Sequence, residues 1–260
     1  MNVIYKIIFI LGVLFVCSCK QDGEQSTEVI KQDGEQPKQD ISGDFTEAYI
    51  VLLNSYNRFK SLINGPKGFS NSFFDDMKRL FNADVEQYAQ NDFYASLGFD
   101  AVAIDNLKHI ITTFNLNKYY YDTEVGNSFV HRLRQFILKL IVLINNLLQK
   151  NDNIGVLKDS NNMEGLKELA SMLDDVCVKW GMFVGQVKNA INEASNLTVK
   201  NAVINKLEIV SRLEIDNPNQ ICVDAQGIKN ELCDLKHELL QLFISIKDKV
   251  LELVKDVGKE

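Results

Sequence analysis

The sequence predicts an all-α fold, a helical bundle of about six or seven helices behind a disordered N-terminal tether. Three observations support this prediction. Apolar residues recur at helical spacing almost everywhere after Gly43, and the alternation typical of strands is absent. The chain has only three prolines, and none lies between Pro66 and Pro218. Residues 43–260 are numerous enough to enclose one sizeable core, so we expect a single all-helical domain there.

The first 18 residues have the features of a bacterial export signal. Lys6 supplies a positive charge, and residues 7–16 form an uncharged apolar run. A run of about 10 residues is too short to span a bilayer, which needs about 20, but it matches the apolar part of a signal peptide. We therefore expect residues 1–18 to be removed on export.

The end of this signal resembles a lipobox, in which small residues precede a lipid-bearing cysteine. The sequence there is Val16-Cys17-Ser18-Cys19. We expect the lipid on Cys19, because the bulky Phe15 and Val16 precede the rival Cys17; the alternative is an ordinary secretory signal that is cut elsewhere. Two or more acyl chains hold a protein firmly at a bilayer. Cys19 would then tie the mature chain to a membrane surface.

Residues 19–42 are polar and repetitive. The sequence Lys-Gln-Asp-Gly-Glu-Gln occupies residues 20–25, recurs at residues 31–36 and begins again at Lys38. A segment this polar buries too little apolar area to offset the entropy lost on ordering, so it is expected to be a disordered tether. As a flexible coil it would span roughly 25–30 Å.

The charge of the chain excludes one class of partner. The formal net charge is −7, and the sequence has no basic stripe. An acidic chain of this kind is not expected to bind nucleic acid. It is also not expected to hold anionic lipid by charge alone.

Helical periodicity predicts seven helices. Their expected ranges are Asp44–Ile63, Asn71–Gln90, Asp92–Phe114, Val125–Lys150, Met163–Ala194, Val199–Leu213 and Asn219–Asp256. Gly65 and Pro66 end the first helix, and a bend is expected near Gly98 in the third. A loop should cover residues 151–162, and Asn161 with Glu164 should cap the fifth helix.

The last predicted helix is too long for a compact domain of this size. At 1.5 Å per residue it would extend roughly 55 Å. Either it bends, or part of its apolar stripe needs a partner. We expect Leu242, Ile246, Val250 and Leu253 to pack against the first helix or against a second copy of the protein, and they are candidate partner-binding residues.

The sequence offers no convincing catalytic or cofactor-binding set. His109, His131 and His237 fall on three separate predicted helices, and none has a Glu or His four residues away in a metal-binding pattern. No glycine-rich loop follows a strand, and there is no Gly-x-Ser-x-Gly elbow. The prediction is a protein that is not an enzyme and has no metal or cofactor.

Three cysteines remain besides those near the predicted signal cleavage site. Cys222 and Cys233 are 11 residues apart. In one helix they would lie roughly 16 Å apart, far beyond the ~7 Å limit for a disulfide, so they can pair only if the helix begins after Cys222. Buried thiols are the favoured interpretation. Cys177 forms a small-residue stripe with Gly181 and Gly185, which is expected to admit a neighbouring helix or, alternatively, a dimer partner.

Tyr119, Tyr120 and Tyr121 stand at a predicted helix junction. Consecutive residues of a loop cannot all point inward, so at least one tyrosine should be exposed. Because tyrosine is enriched in binding hot spots, the three are candidate partner-binding residues. The alternative is that they close one end of the core.

One segment resembles a known family. Residues 92–100 read Asp-Phe-Tyr-Ala-Ser-Leu-Gly-Phe-Asp, and residues 104–108 read Ile-Asp-Asn-Leu-Lys. This pattern, with the lipobox, the polar tether and the helical domain, is similar to the Borrelia-type complement-regulator-acquiring, or virulence-associated, surface lipoproteins. The chain departs from the family in its three additional cysteines and in its long helix after Pro218.

The resemblance implies a function without catalysis. The expected protein is a spirochaete lipoprotein of the cell outer membrane, exposed at the surface, that binds a host protein such as a complement component or regulator in immune evasion. The alternative is a structural or periplasm-facing lipoprotein without a host ligand.

Overall fold

The computed structural model describes residues 41–81, 87–116, 124–223 and 229–258. Residues 40–260 form one compact unit by their own contacts. The predicted signal and nearly all of the tether, with Cys19, lie outside the described residues. No helix within the described ranges combines the length and the apolar character needed to cross a membrane.

The fold is all-α, as predicted, and consistent with a helical bundle. Within the described residues the only β pairing is an isolated bridge between Val223 and Lys229. The helices are α1 (Ile41–Ser61), α2 (Phe73–Phe81), α3 (Gln87–Ser96), α4 (Ala101–Thr113), α5 (Glu124–Ile137), α6 (Leu143–Gln149), α7 (Asn153–Val156), α8 (Met163–Ser195), α9 (Lys200–Ser211) and α10 (Glu231–Val257). A π-helical segment, Leu138–Val142, joins α5 to α6.

Helix α8 lies at the centre of the domain. It packs against α1, α4, α9 and α10. Its inward face is an apolar stripe at helical spacing: Leu166, Leu169, Leu173, Val176, Trp180, Phe183, Val187 and Ile191. Its N-cap is Asn162, whose side chain accepts a hydrogen bond from the backbone N–H of Gly165. The predicted cap, Asn161, is one residue too early. The side-chain oxygen that accepts from the N–H three residues later belongs to Asn162.

Two predicted features between the helices are wrong in detail. The third predicted helix is broken rather than bent, since Gly98 and Phe99 both have positive φ and Asp100 caps a new helix by accepting from the Ala103 N–H. The predicted loop at residues 151–162 contains α7 and a 3-10 turn on each side of it. The ends of α1, α8 and α9 lie within about three residues of the predicted ones.

The last helix begins at Glu231 instead of Asn219. The described residues 219–223 are irregular, and Cys222 among them is cross-linked to Cys233 in the first turn of the helix, so these residues do not continue the helix. The observed 27 residues extend roughly 40 Å. Helix α10 is therefore shorter than the 33-residue α8, along which it packs.

The candidate partner residues of the last helix belong mainly to the core. Ile246, Val250 and Leu253 are fully buried within the single chain, and Leu242 is half-buried. Leu253 lies over Gly165 so closely that a Cβ atom at Gly165 would stand 2.6 Å from the leucine Cδ2. The helix packs chiefly on α8 and on the segment from Leu138 to Asp159. The predicted choice between the first helix and a second copy is therefore wrong, because α8 supplies the missing surface.

Candidate functional site at the disulfide loop

The segment between α9 and α10, residues 213–230, is here named the disulfide loop. Its described part is held to the start of α10 by backbone and cap interactions. The Asn230 N–H donates to the Cys222 carbonyl at 2.7 Å, and the Asn230 side chain accepts from the Cys233 N–H at 3.2 Å. One asparagine thus closes the loop and begins the helix.

A disulfide bond joins Cys222 to Cys233, with the two Cα atoms 5.3 Å apart. The helix begins after Cys222, and this is the condition under which the two cysteines were expected to be able to pair. The interpretation of buried thiols is wrong for this pair, because the expected helix does not cover residue 222. Only Cys177 is a free cysteine within the described residues.

Lys236 is a buried cation that binds the disulfide loop through hydrogen bonds. Its side chain is fully buried. The ammonium group donates to the carbonyl oxygens of Glu214 and Asn217 at 2.9 and 3.1 Å and to Oε1 of Gln220 at 2.8 Å. Burial lowers the pKa of Lys236, with Glu214 acting in the opposite direction. The loop carbonyls and the lysine satisfy one another, so loop and helix are fixed together.

His237 lies beside the disulfide. Its Nδ1 is 3.5 Å from the Sγ of Cys222. Cys233 and His237 are four residues apart on α10, so their side chains share one face of the helix. The ligand atoms of Cys222, Cys233 and His237 lie within 4.8 Å of one another. This cluster was not predicted from the sequence, because Cys222 and Cys233 were expected to be buried thiols. The available signal was the Cys-x-x-x-His spacing of Cys233 and His237.

A groove with a volume of about 350 Å³ lies between the disulfide loop and α9. Three of its lining residues are exposed apolar side chains, Ile209, Ile221 and Val223, and Ile221 is 78% exposed. An ion pair between Arg212 and Glu208 lies along the same wall. The groove therefore presents apolar groups beside fixed charges.

The other predicted site residues do not meet at this groove. Tyr119, Tyr120 and Tyr121 lie outside the described residues. His109 is on α4, where its ring faces Thr113 of the same helix, and His131 is on α5. Ile246, Val250 and Leu253 are in the core.

The small-residue stripe on α8 does not admit a neighbouring helix. A Cβ atom placed on Gly181 or Gly185 would meet nothing within 4 Å, so this face is open. The exposed neighbours Val178 and Met182 lie on the same side of the helix. The expected close approach is wrong, because the helices around α8 pack against its opposite, apolar face.

The thiol of Cys177 is expected to react slowly at neutral pH. Burial, with a further contribution from Asp174, raises the pKa of Cys177 to about 11. Since the thiolate is the nucleophile, alkylation by iodoacetamide in the folded chain should increase roughly tenfold per pH unit up to that value. In the urea-unfolded chain the increase should level off near pH 8.5. Peptide mass spectrometry of Cys177 reads both profiles, and identical profiles would contradict the prediction.

Comparisons of the chain with family models, with curated proteins and with solved structures gave no match.

Proposed function

We propose that the protein is a surface-displayed bacterial lipoprotein, without catalysis, whose helical domain binds a host protein in immune evasion. The observation that carries the proposal is the order of parts in the sequence: an export signal ending in Val16-Cys17-Ser18-Cys19, a polar repetitive tether, and a helical domain with a core of its own. A complement component or regulator is the partner implied by the resemblance of residues 92–108 to the Borrelia-type surface lipoproteins.

The groove beside the disulfide loop is the surface that best suits a protein partner. Its three exposed apolar side chains, Ile209, Ile221 and Val223, are grouped at one groove, and grouped exposed apolar residues are typical of interaction surfaces. Ile221 adjoins Cys222, and the loop is fixed by the disulfide and by Lys236. Because these contacts already hold the described residues around Ile221, covering Ile221 would cost that part of the loop little additional conformational entropy.

The anchor is tested by changing the expected lipidated residue. Cys19→Ala should abolish incorporation of labelled palmitate and release the protein from the membrane fraction, because the thioether cannot form. Cys17→Ala is the matched control and should keep both properties. Labelling that persists in Cys19→Ala and disappears in Cys17→Ala would place the cleavage site elsewhere.

Surface display and partner binding need separate measurements. Protease treatment of intact cells should remove the domain while sparing a periplasmic marker; survival of the domain would favour the periplasm-facing alternative.

Purified full chain should retain one or more serum proteins, and Ile221→Asp should weaken that binding at least about tenfold. Ile244→Asp, at a 48% exposed site on α10, is the control. Equal binding by both variants would exclude the groove.

A further inference from the structure

The geometry points to a zinc site that replaces the disulfide when the chain is reduced. Its ligands are the thiolates of Cys222 and Cys233 and the imidazole of His237. In this proposal Cys222 of the disulfide loop is linked to α10 by the disulfide bond in the oxidised chain and by a shared Zn²⁺ ion in the reduced chain.

The distances around Cys222 match those of a tetrahedral site. With Zn–S near 2.3 Å and Zn–N near 2.0 Å, a sulfur and a nitrogen on the same zinc lie about 3.6 Å apart. The Cys222 Sγ and His237 Nδ1 are already 3.5 Å apart. Two sulfurs on one zinc lie about 3.8 Å apart, so after reduction the Cys222 and Cys233 sulfurs need to separate by less than 2 Å. Side-chain rotation at Cys222, which is on the loop, supplies this movement.

The chemistry of the cluster also fits zinc. Thiolate and imidazole are the ligands that Zn²⁺ takes most often, and three protein ligands leave a fourth position for an oxygen ligand. The carbonyl oxygen of Gln220 lies 3.6 Å from the Cys222 sulfur and 3.9 Å from the Cys233 sulfur, so an oxygen already borders that position. The Nε2 atom of His237 is buried and has no hydrogen-bond partner among the described residues. With Nδ1 as the ligand atom, Nε2 would carry the proton of the imidazole.

Both steps balance. A thiol-class reductant transfers two electrons and two protons to the S–S bond; a dithiol, for example, becomes its own cyclic disulfide while Cys222 and Cys233 become thiols. Zn²⁺ then displaces the two thiol protons into solvent and takes a lone pair from the neutral imidazole of His237. Reoxidation by a disulfide releases the metal.

The test uses the full chain in detergent, carrying Cys17→Ser and Cys19→Ser so that the N-terminal cysteines cannot bind metal. A phosphine reductant and water reduce the disulfide, giving the phosphine oxide, and Co²⁺ is titrated in as a spectroscopic probe before Zn²⁺ displaces it. We expect one equivalent of Co²⁺ with thiolate-to-metal charge-transfer bands in the reduced chain and none in the oxidised chain. Zn²⁺ should raise the melting temperature of the reduced chain only.

Two variants distinguish this site from a general affinity of thiols for metal. His237→Gln should lower the affinity at least about tenfold, since loss of a supporting group alone costs 10–100-fold at zinc sites. Cys177→Ser should bind as tightly as the parent, because Cys177 is not part of the cluster. Circular dichroism verifies that each reduced variant is folded. The proposal is overturned if the reduced, folded chain gives no thiolate band, if His237→Gln binds undiminished, or if Cys177→Ser removes the site.

Discussion

Phe183→Ala should reduce the free energy of unfolding by about 3–5 kcal/mol, the cost of deleting a large side chain from a closed core. Phe183 is fully buried in the middle of α8. Its ring meets Phe136 edge to face at 5.0 Å and stacks on Trp180 at 5.4 Å. The substitution removes both ring contacts and leaves a cavity between α8 and the α5 segment.

The measurement is a urea titration followed by tryptophan fluorescence. Trp180 is the only tryptophan of the chain, and it adjoins the altered site. A loss of this size corresponds to a melting temperature lower by roughly 6–20 °C for a domain of about 200 residues. Met182→Ala, the neighbouring residue at 54% exposure, is the matched control and should cost less than about 1 kcal/mol. Similar losses in both variants would mean that α8 is not the central helix.

Lys236→Met should destabilise the domain by about 2–4 kcal/mol, although it removes a buried charge. Methionine fills a similar volume, but it leaves the carbonyls of Glu214 and Asn217 and the amide oxygen of Gln220 without their donor. Each buried acceptor that loses its partner costs about 1–3 kcal/mol, less where water can enter. Lys247→Met, at an exposed position on the same helix, should be nearly neutral.

The stability difference between the parent and Lys236→Met should also depend on pH. Because the folded-state pKa of Lys236 is lowered, the unfolded chain binds more protons than the folded chain between that pKa and about 10.4. The parent therefore gains stability relative to the variant as pH rises through this interval. Urea titrations from pH 7 to pH 10 measure the difference; a difference that shrinks with pH would contradict the lowered pKa.

The fold could be predicted from the sequence because its helices are amphipathic. The stripe from Leu166 to Ile191 repeats at helical spacing along most of α8, so the existence of this helix and its bounds followed from periodicity. The break in the helix at Gly98 could be predicted only in part, because a glycine permits a bend and a break equally. Phe99 takes positive φ with its ring 5.2 Å from that of Phe69, and Asp100 then begins a new helix.

The site at the disulfide loop could not be predicted, because the sequence does not show that Lys236 is buried. Lys236 lies four residues after Leu232 and three before Leu239, at the edge of the apolar stripe, where a lysine is ordinarily expected to extend its ammonium group to solvent. Nothing in the local sequence indicates that the carbonyl oxygens of residues 214 and 217 accept from it. Ile221 and Cys222 likewise extend the apolar stripe of α10 in sequence. The start of α10 at Glu231 accompanies the disulfide and the hydrogen bonds of Lys236, which are contacts that the helical periodicity does not indicate.

The packing of α8 also determines how the domain would carry mechanical load. In the proposed anchored lipoprotein, force from the anchor would enter at the start of α1, and force from a partner at the groove would enter through α9 and the disulfide loop. Both α1 and α10 pack lengthwise on α8, and the disulfide ties the loop to α10. Such a load would therefore act in shear on helices packed side by side, a direction in which many side-chain contacts must break together.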